Sequence, residues 1–203
     1  MKIKPIIIVI IFLLFISLSI TPAEEYKDES INQADEANKS YPTREVPTYR
    51  ETVMLPTDII NNIIKKLQPN VPDKNAKTIA ELTIKSSEKY NLDSYWMLAM
   101  MYVESKFDSS VISSEGARGL MQIIPSTAEI YGVTKRQLKD PAINIDTGFR
   151  YYRYLLDLFK DEKLATIAYN QGPGNVRRGT YKTWYYDRVK DAYNKILNLK
   201  EEL

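Results

Sequence analysis

From Asn75 to the end of the chain, apolar residues return every three or four positions, and no stretch alternates apolar with polar as a half-buried strand would. That periodicity commits this part of the chain to packed helices. Ile79, Ala80, Thr83 and Ser87 fall on one face of a helix that stops near Tyr90 and Asn91. Asp93 or Ser94 caps a second helix, Tyr95 to Ser105, which is apolar almost all round. A short helix begins at Ser126 after Pro125, and Asp140-Pro141 is an N-cap and first-turn pair. Behind that pair, Ile145, Phe149, Tyr152, Leu155, Leu156 and Phe159 make a helical stripe. Asp161 caps residues 164–170, and a last helix carries Val189, Tyr193, Ile196 and Leu197. Gly116, Gly119, Gly172 and Gly174 gather in two connections, the second expected to be a loop. The reading is a mainly α domain over residues 73–203 with at most a very small β element.

The N-terminal third reads differently. Lys2 and Lys4 precede an apolar run over 6–20, and the small-residue stretch Thr21-Pro22-Ala23 follows. That is the layout of a secretory signal over 1–23, or of an uncleaved N-terminal membrane anchor. The run of ~15 residues is short for a membrane span, which needs ~20. Either way the protein is expected outside the cytoplasm, in the envelope or secreted. No cysteine follows the run, which excludes a lipoprotein anchor. Residues 24–55 are polar and charged with isolated apolar side chains, the composition of a disordered linker. Over 56–72, Ile59, Ile60, Ile63, Ile64 and Leu67 share one face of an amphipathic helix expected to dock on the domain. Lys65 and Lys66 alone are too few basic residues to favour a membrane-surface role.

Composition narrows the chemistry. The chain has no histidine and no cysteine. A Ser-His-Asp triad, a thiol nucleophile and zinc sites on those ligands are therefore unavailable. Of 28 basic residues, Lys2 and Lys4 lie in the signal, leaving 26 against 26 acidic ones. So balanced a chain is not a general nucleic-acid binder. Locally, Arg177, Arg178, Lys182 and Arg188 interleave with Tyr181, Trp184, Tyr185 and Tyr186, a mixture that also lines sugar-binding grooves. Gly172-Pro173-Gly174 is not a phosphate loop, because no GK[ST] follows. Glu104 stands out on physical grounds. It ends a helix of apolar residues, where the negative helix terminus and desolvation both oppose ionisation. A carboxyl kept protonated near neutral pH is what a general acid requires.

Three segments occur in fixed order: ESKF at 104–107, GARGLMQIIPSTA at 116–128 and AYNQGPGNV at 168–176. Together they resemble the catalytic domain of the soluble lytic transglycosylases, relatives of goose-type lysozyme, over 79–197. The resemblance implies a lysozyme-like, mainly helical fold with a groove for a peptidoglycan glycan strand, acting as a monomer without metal or cofactor. Glu104 matches the family's single catalytic acid/base. Ser105 matches the serine that follows it and is expected among the substrate-binding residues, as is Ser113, which matches the serine that often reaches the catalytic carboxyl. Ser114-Glu115 stands where many members have a proline in that stretch. Met121 and Gln122 match groove-lining positions, and Tyr169 and Asn170 match a tyrosine near the scissile bond and its binding neighbour. Tyr185, Val189 and Tyr193 fit a late pattern in which Tyr185 is another groove residue, with Tyr186 adjacent.

The implied reaction cuts between N-acetylmuramic acid and N-acetylglucosamine without water, giving a 1,6-anhydro product. Glu104 is the sole acid within the three motifs. Ordinary glycosidases use two carboxyl groups. Two other readings stay open at this point. One is a lysozyme-type hydrolase on the same fold, with Asp108 assisting; the other is a non-catalytic peptidoglycan-binding module.

Overall fold

The computed structural model describes residues 57–203; the signal or anchor over 1–23 and the linker over 24–55 lie outside the described residues. Helix α1 runs Thr57–Leu67, α2 Asp73–Tyr90, α3 Ser94–Ser105, α4 Pro125–Ile130, α5 Pro141–Phe159, α6 Glu162–Gln171, α7 Pro173–Arg177 and α8 Trp184–Glu201. A 3-10 turn, Gln137–Lys139, precedes α5. Among the described residues the only β features are isolated bridges, Ile112 to Arg118 and Arg118 to Ile123. The chain is mainly α, as its periodicity requires. No helix of the described residues is long and apolar enough to cross a membrane.

Helix α3 is the centre of the core. Trp96, Met97, Leu98, Ala99, Met100 and Met101 are all buried, so the helix is covered on every side. Its main partner is α8, while α2 packs on α3 and α5, and α6 packs on α5 and α8. Helix α1 lies on α2 and α8 through Ile60, Ile63, Ile64 and Leu67. Each such side chain taken from water contributes about 2 kcal/mol.

Three aspartates set the helix starts. Asp93 Oδ1 accepts the N–H groups of Tyr95 (2.8 Å) and Trp96 (3.1 Å). Asp140 does the same for Ala142 and Ile143, and Asp161 for Leu164. Asp93 also accepts the Tyr193 hydroxyl at 2.9 Å through its other oxygen, which fastens α8 to the start of α3. The far end of α3 turns sharply. Lys106 (φ 54°) and Phe107 (φ 64°) both adopt the left-handed conformation, which side-chain-bearing residues hold only when their surroundings enforce it. Here Phe107 is buried against the Tyr102 ring, so the chain is pulled back immediately after Glu104.

Two expectations shift. The helix after Ile124 begins at Pro125 rather than Ser126, because a proline at the first helical position needs no N–H partner. The same physics shortens the second glycine loop. Gly172 takes φ +82° as the joint, but Pro173 restarts a helix and Gly174 lies inside α7.

Candidate active site

The end of α3, the loop from Val111 to Ile124, the end of α6 and the start of α8 enclose a cleft of about 690 Å³. Glu104, Ser113, Gln122, Tyr169 and Asn170 all line it. The cleft is therefore built from residues up to 80 positions apart in sequence (104 to 184) that the helices bring to one surface.

Glu104 is half-buried in the cleft wall. Burial pushes its carboxyl up to about 7, against the opposing pull of a hydrogen bond from Tyr185 and of the Arg188 charge. Tyr185 Oη donates to Glu104 Oε1 at 2.6 Å. One carboxyl oxygen is thus committed as an acceptor, and the proton of the neutral form sits on the other. Near pH 7 the group is poised between donor and acceptor, the condition for general acid and base work in one cycle.

Tyr185 is 1% exposed, which corrects the expectation of a groove residue. It stands behind Glu104 and orients it. Burial, and then the Glu104 charge, hold its phenol well above the usual range, so it stays a donor. Tyr186 is half-buried against Trp96, with ring centroids 5.9 Å apart.

The loop that carries Ser113, Met121 and Gln122 is fixed from behind by Asn144 of α5. Asn144 Oδ1 accepts the Met121 N–H at 2.8 Å, and its Nδ2 donates to the carbonyls of Arg118 (2.8 Å) and Leu138 (3.1 Å). Met121 is wholly buried, a second correction to the expected groove set. Its side chain fills the space above Gly148, where a Cβ would come within 2.7 Å of Met121 Cβ. What Met121 gives the site is its carbonyl, which accepts the Tyr169 hydroxyl at 2.8 Å. That bond ties α6 to the loop. It also means that the Tyr169 hydroxyl is directed at protein backbone. The Tyr169 ring lines the cleft beside Tyr151, with centroids 5.3 Å apart.

Gln122 sits at φ 45° with Nε2 donating to Val111 O (3.1 Å) and Gly119 O (2.9 Å), so its amide oxygen is the group it can present to the cleft. Ser113 Oγ accepts the N–H groups of Glu115 and Ala117, both at 3.2 Å. Ser105 is a third correction: it is 5% exposed, does not line the cleft, and donates to Met101 O at 3.2 Å within its own helix. Asp108 is also outside the cleft wall. It accepts both the N–H and the hydroxyl of Ser110, which hold its carboxyl below the usual range.

The residue pattern of the three motifs did not reveal Trp184 or Gln171 as parts of the wall. Trp184, 45% exposed, presents its indole to the cleft at the start of α8. It is held there by Gln171, whose side chain donates to Lys182 O (2.6 Å) and accepts from Lys182 N (3.0 Å). An exposed indole beside amide and hydroxyl groups is a surface on which a sugar ring can stack. The interleaved aromatic and basic residues of 177–188 were the available signal. Glu115 also lines the cleft.

The chain is 35% identical over 137 residues to membrane-bound lytic murein transglycosylase C of Shigella sonnei, covering 59% of this chain and 38% of that protein. The corresponding protein of Serratia proteamaculans is 33% identical over the same length, again 59% and 38%. The chain thus spans under two fifths of the length of these relatives. Among solved structures, the 70 kDa soluble lytic transglycosylase of Escherichia coli is 22% identical, with a TM-score of 0.47 over 68% of this chain and 27% of that one. The transglycosylase SLT domain model matches residues 81–191, more than half of the chain and all three of the motif segments, and the chain belongs to that family.

Proposed function

We propose that this protein is a peptidoglycan lytic transglycosylase that cuts the β-1,4 bond between N-acetylmuramic acid and N-acetylglucosamine with Glu104 as its one acid/base. The observation that carries the reading is the Glu104 carboxyl, raised by burial to about 7 in the wall of a sugar-sized cleft. Protonated, its free oxygen delivers a proton to the glycosidic oxygen as the C1–O bond breaks. The N-acetyl group of the muramic residue stabilises the cationic C1. Glu104, now a carboxylate, takes the proton of the C6 hydroxyl as that oxygen closes onto C1, which restores the starting enzyme. No water is consumed. Tyr185 keeps the carboxyl in place through both transfers. Gln122, Asn170, Ser113 and the Tyr169 ring hold the strand, and Trp184 stacks on it. Ser105 and Met121 support the walls from behind.

A hydrolase needs a second carboxyl as base or nucleophile. Asp108 is bound to Ser110 outside the cleft, and Glu115, the other carboxyl of the wall, is not among the groups that bear on Glu104, which are the Tyr185 hydroxyl and the Arg188 charge. A single-carboxyl reaction accords with that arrangement. Residues 73–203 form the catalytic domain, and α1, within 56–72, braces it. Residues 1–23 direct the protein outside the cytoplasm or hold it at the membrane, with 24–55 as the tether. The enzyme acts as a monomer on glycan strands, not on nucleic acid. Digestion of purified sacculi followed by mass analysis tests the reading. The expected fragments end in the anhydro sugar and are lighter by one water than lysozyme products; fragments carrying that water would make the enzyme a hydrolase.

A further inference from the structure

We infer that Glu115 is a selectivity residue, giving the cleft a preference for glycan strands that carry a primary ammonium group beside the bond to be cut. The inference rests on reading the cleft as a glycan site, and it adds the charge of the preferred substrate. Among the described residues that line the cleft, the only ionisable groups capable of negative charge at neutral pH are Glu104 and Glu115, and no lysine or arginine joins them. Glu104 is close to half-protonated there. Glu115 is exposed and fully charged: the Ser114 hydroxyl donates to its carboxyl at 2.6 Å and holds it below the usual range.

The turn that carries Glu115 is fixed. Ser113 Oγ accepts the Glu115 and Ala117 N–H groups, Gly116 N donates to Ser113 O at 3.0 Å, and Gly116 takes φ +83°. The backbone that carries the carboxylate is thereby fixed, and the Ser114 hydroxyl is its side-chain partner. Tyr185 and Arg188, and not Glu115, bear on the Glu104 proton. A strand in this cleft therefore meets one permanent negative charge with no lysine or arginine beside it in the lining. An ammonium on the strand is attracted and a carboxylate repelled. Two groups in such a polymer share that chemistry: the C2 amine of a de-N-acetylated glucosamine, and the side-chain amine of a diamino acid in the peptide stem.

The test measures binding by calorimetry with the full chain carrying Glu104→Gln, so that strands are not consumed. Three strands are compared: fully N-acetylated without stems, the same strand partly de-N-acetylated, and an N-acetylated strand that keeps diamino-acid stems. At least one amine-bearing strand is expected to bind about three- to fivefold more tightly than the first, the scale of one exposed ion pair. Which strand does so identifies the source of the amine. The preference should collapse to near unity when Glu115→Gln is added, should reverse with Glu115→Lys, and should fade at high salt. Equal affinity for all three strands, or a preference that survives Glu115→Gln, overturns the inference while leaving the glycan site intact. Failure of every strand to bind overturns the glycan reading itself, and this inference with it.

Discussion

Glu104→Gln is expected to lower glycan cleavage by about a thousandfold, within the range that a positioned proton donor supplies, while the fold is kept. Glutamine has the same shape, and its amide oxygen can still accept the Tyr185 hydroxyl, which now lies 2.6 Å from Oε1. Only the transferable proton is lost. The same variant should be more stable than the natural protein above neutrality. The Glu104 carboxyl has an ordinary value of 4.5 and is raised to about 7 in the fold. Below the lower value both folded and unfolded chains are protonated, and the group has no effect on stability. Between the two, the unfolded chain loses its proton first, so stability falls as pH rises, and the cost is complete above the folded value. By linkage that cost is at most about 3 kcal/mol. Denaturation of the two proteins at pH 8 and at pH 4 checks it: Glu104→Gln should gain at pH 8 and show no gain at pH 4. Undiminished cleavage by the variant would remove Glu104 from the chemistry.

Asn144→Ala should cost about 2–5 kcal/mol of stability although the residue lies outside the cleft. The side chain is 1% exposed and makes three hydrogen bonds to backbone groups of two different segments. Truncation leaves the Met121 N–H and the Leu138 carbonyl without the side chain that meets them, and each orphaned group costs about 1–3 kcal/mol; the Arg118 carbonyl keeps the Ile123 N–H at 3.0 Å. The damage reaches the site, because the Met121 carbonyl that Asn144 helps to place is the acceptor of the Tyr169 hydroxyl. Asn144→Asp does not rescue it, since a carboxylate oxygen would then face the Arg118 and Leu138 carbonyls. Urea denaturation together with cleavage assays measures both effects. A loss below about 1 kcal/mol would mean that the loop is held by other contacts.

The parts of the fold that were legible in the sequence are those decided locally. Asp93, Asp140 and Asp161 cap helices by bonding to backbone two or three residues on, and the faces of α2, α5 and α8 follow from apolar spacing alone. The parts that were not legible depend on residues far away in the chain. Nothing near Met121 says that Gly148 leaves room for its side chain, so its place beside Gln122 suggested the groove when the space lay in the core. Tyr185 reaches Glu104 across 81 positions, and only the packing of α8 on α3 shows that it approaches from the buried side. Asn144 sits next to the apolar stripe of α5 and reads as an ordinary polar position until the loop is laid over it. Ser105 follows Glu104 in the motif, yet a helix turns successive side chains by 100°, which points it into the core. For Glu104 itself, the sequence argument from helix end and apolar neighbours identified desolvation, and desolvation is the largest cause of its raised value.

Titration of the Glu104 side-chain carboxyl by carbon NMR, in the full chain without substrate, tests the central claim most directly. The account expects a midpoint near 7, as burial requires. A midpoint near the ordinary 4.5 would mean that the group is ionised at neutral pH and has no proton to give.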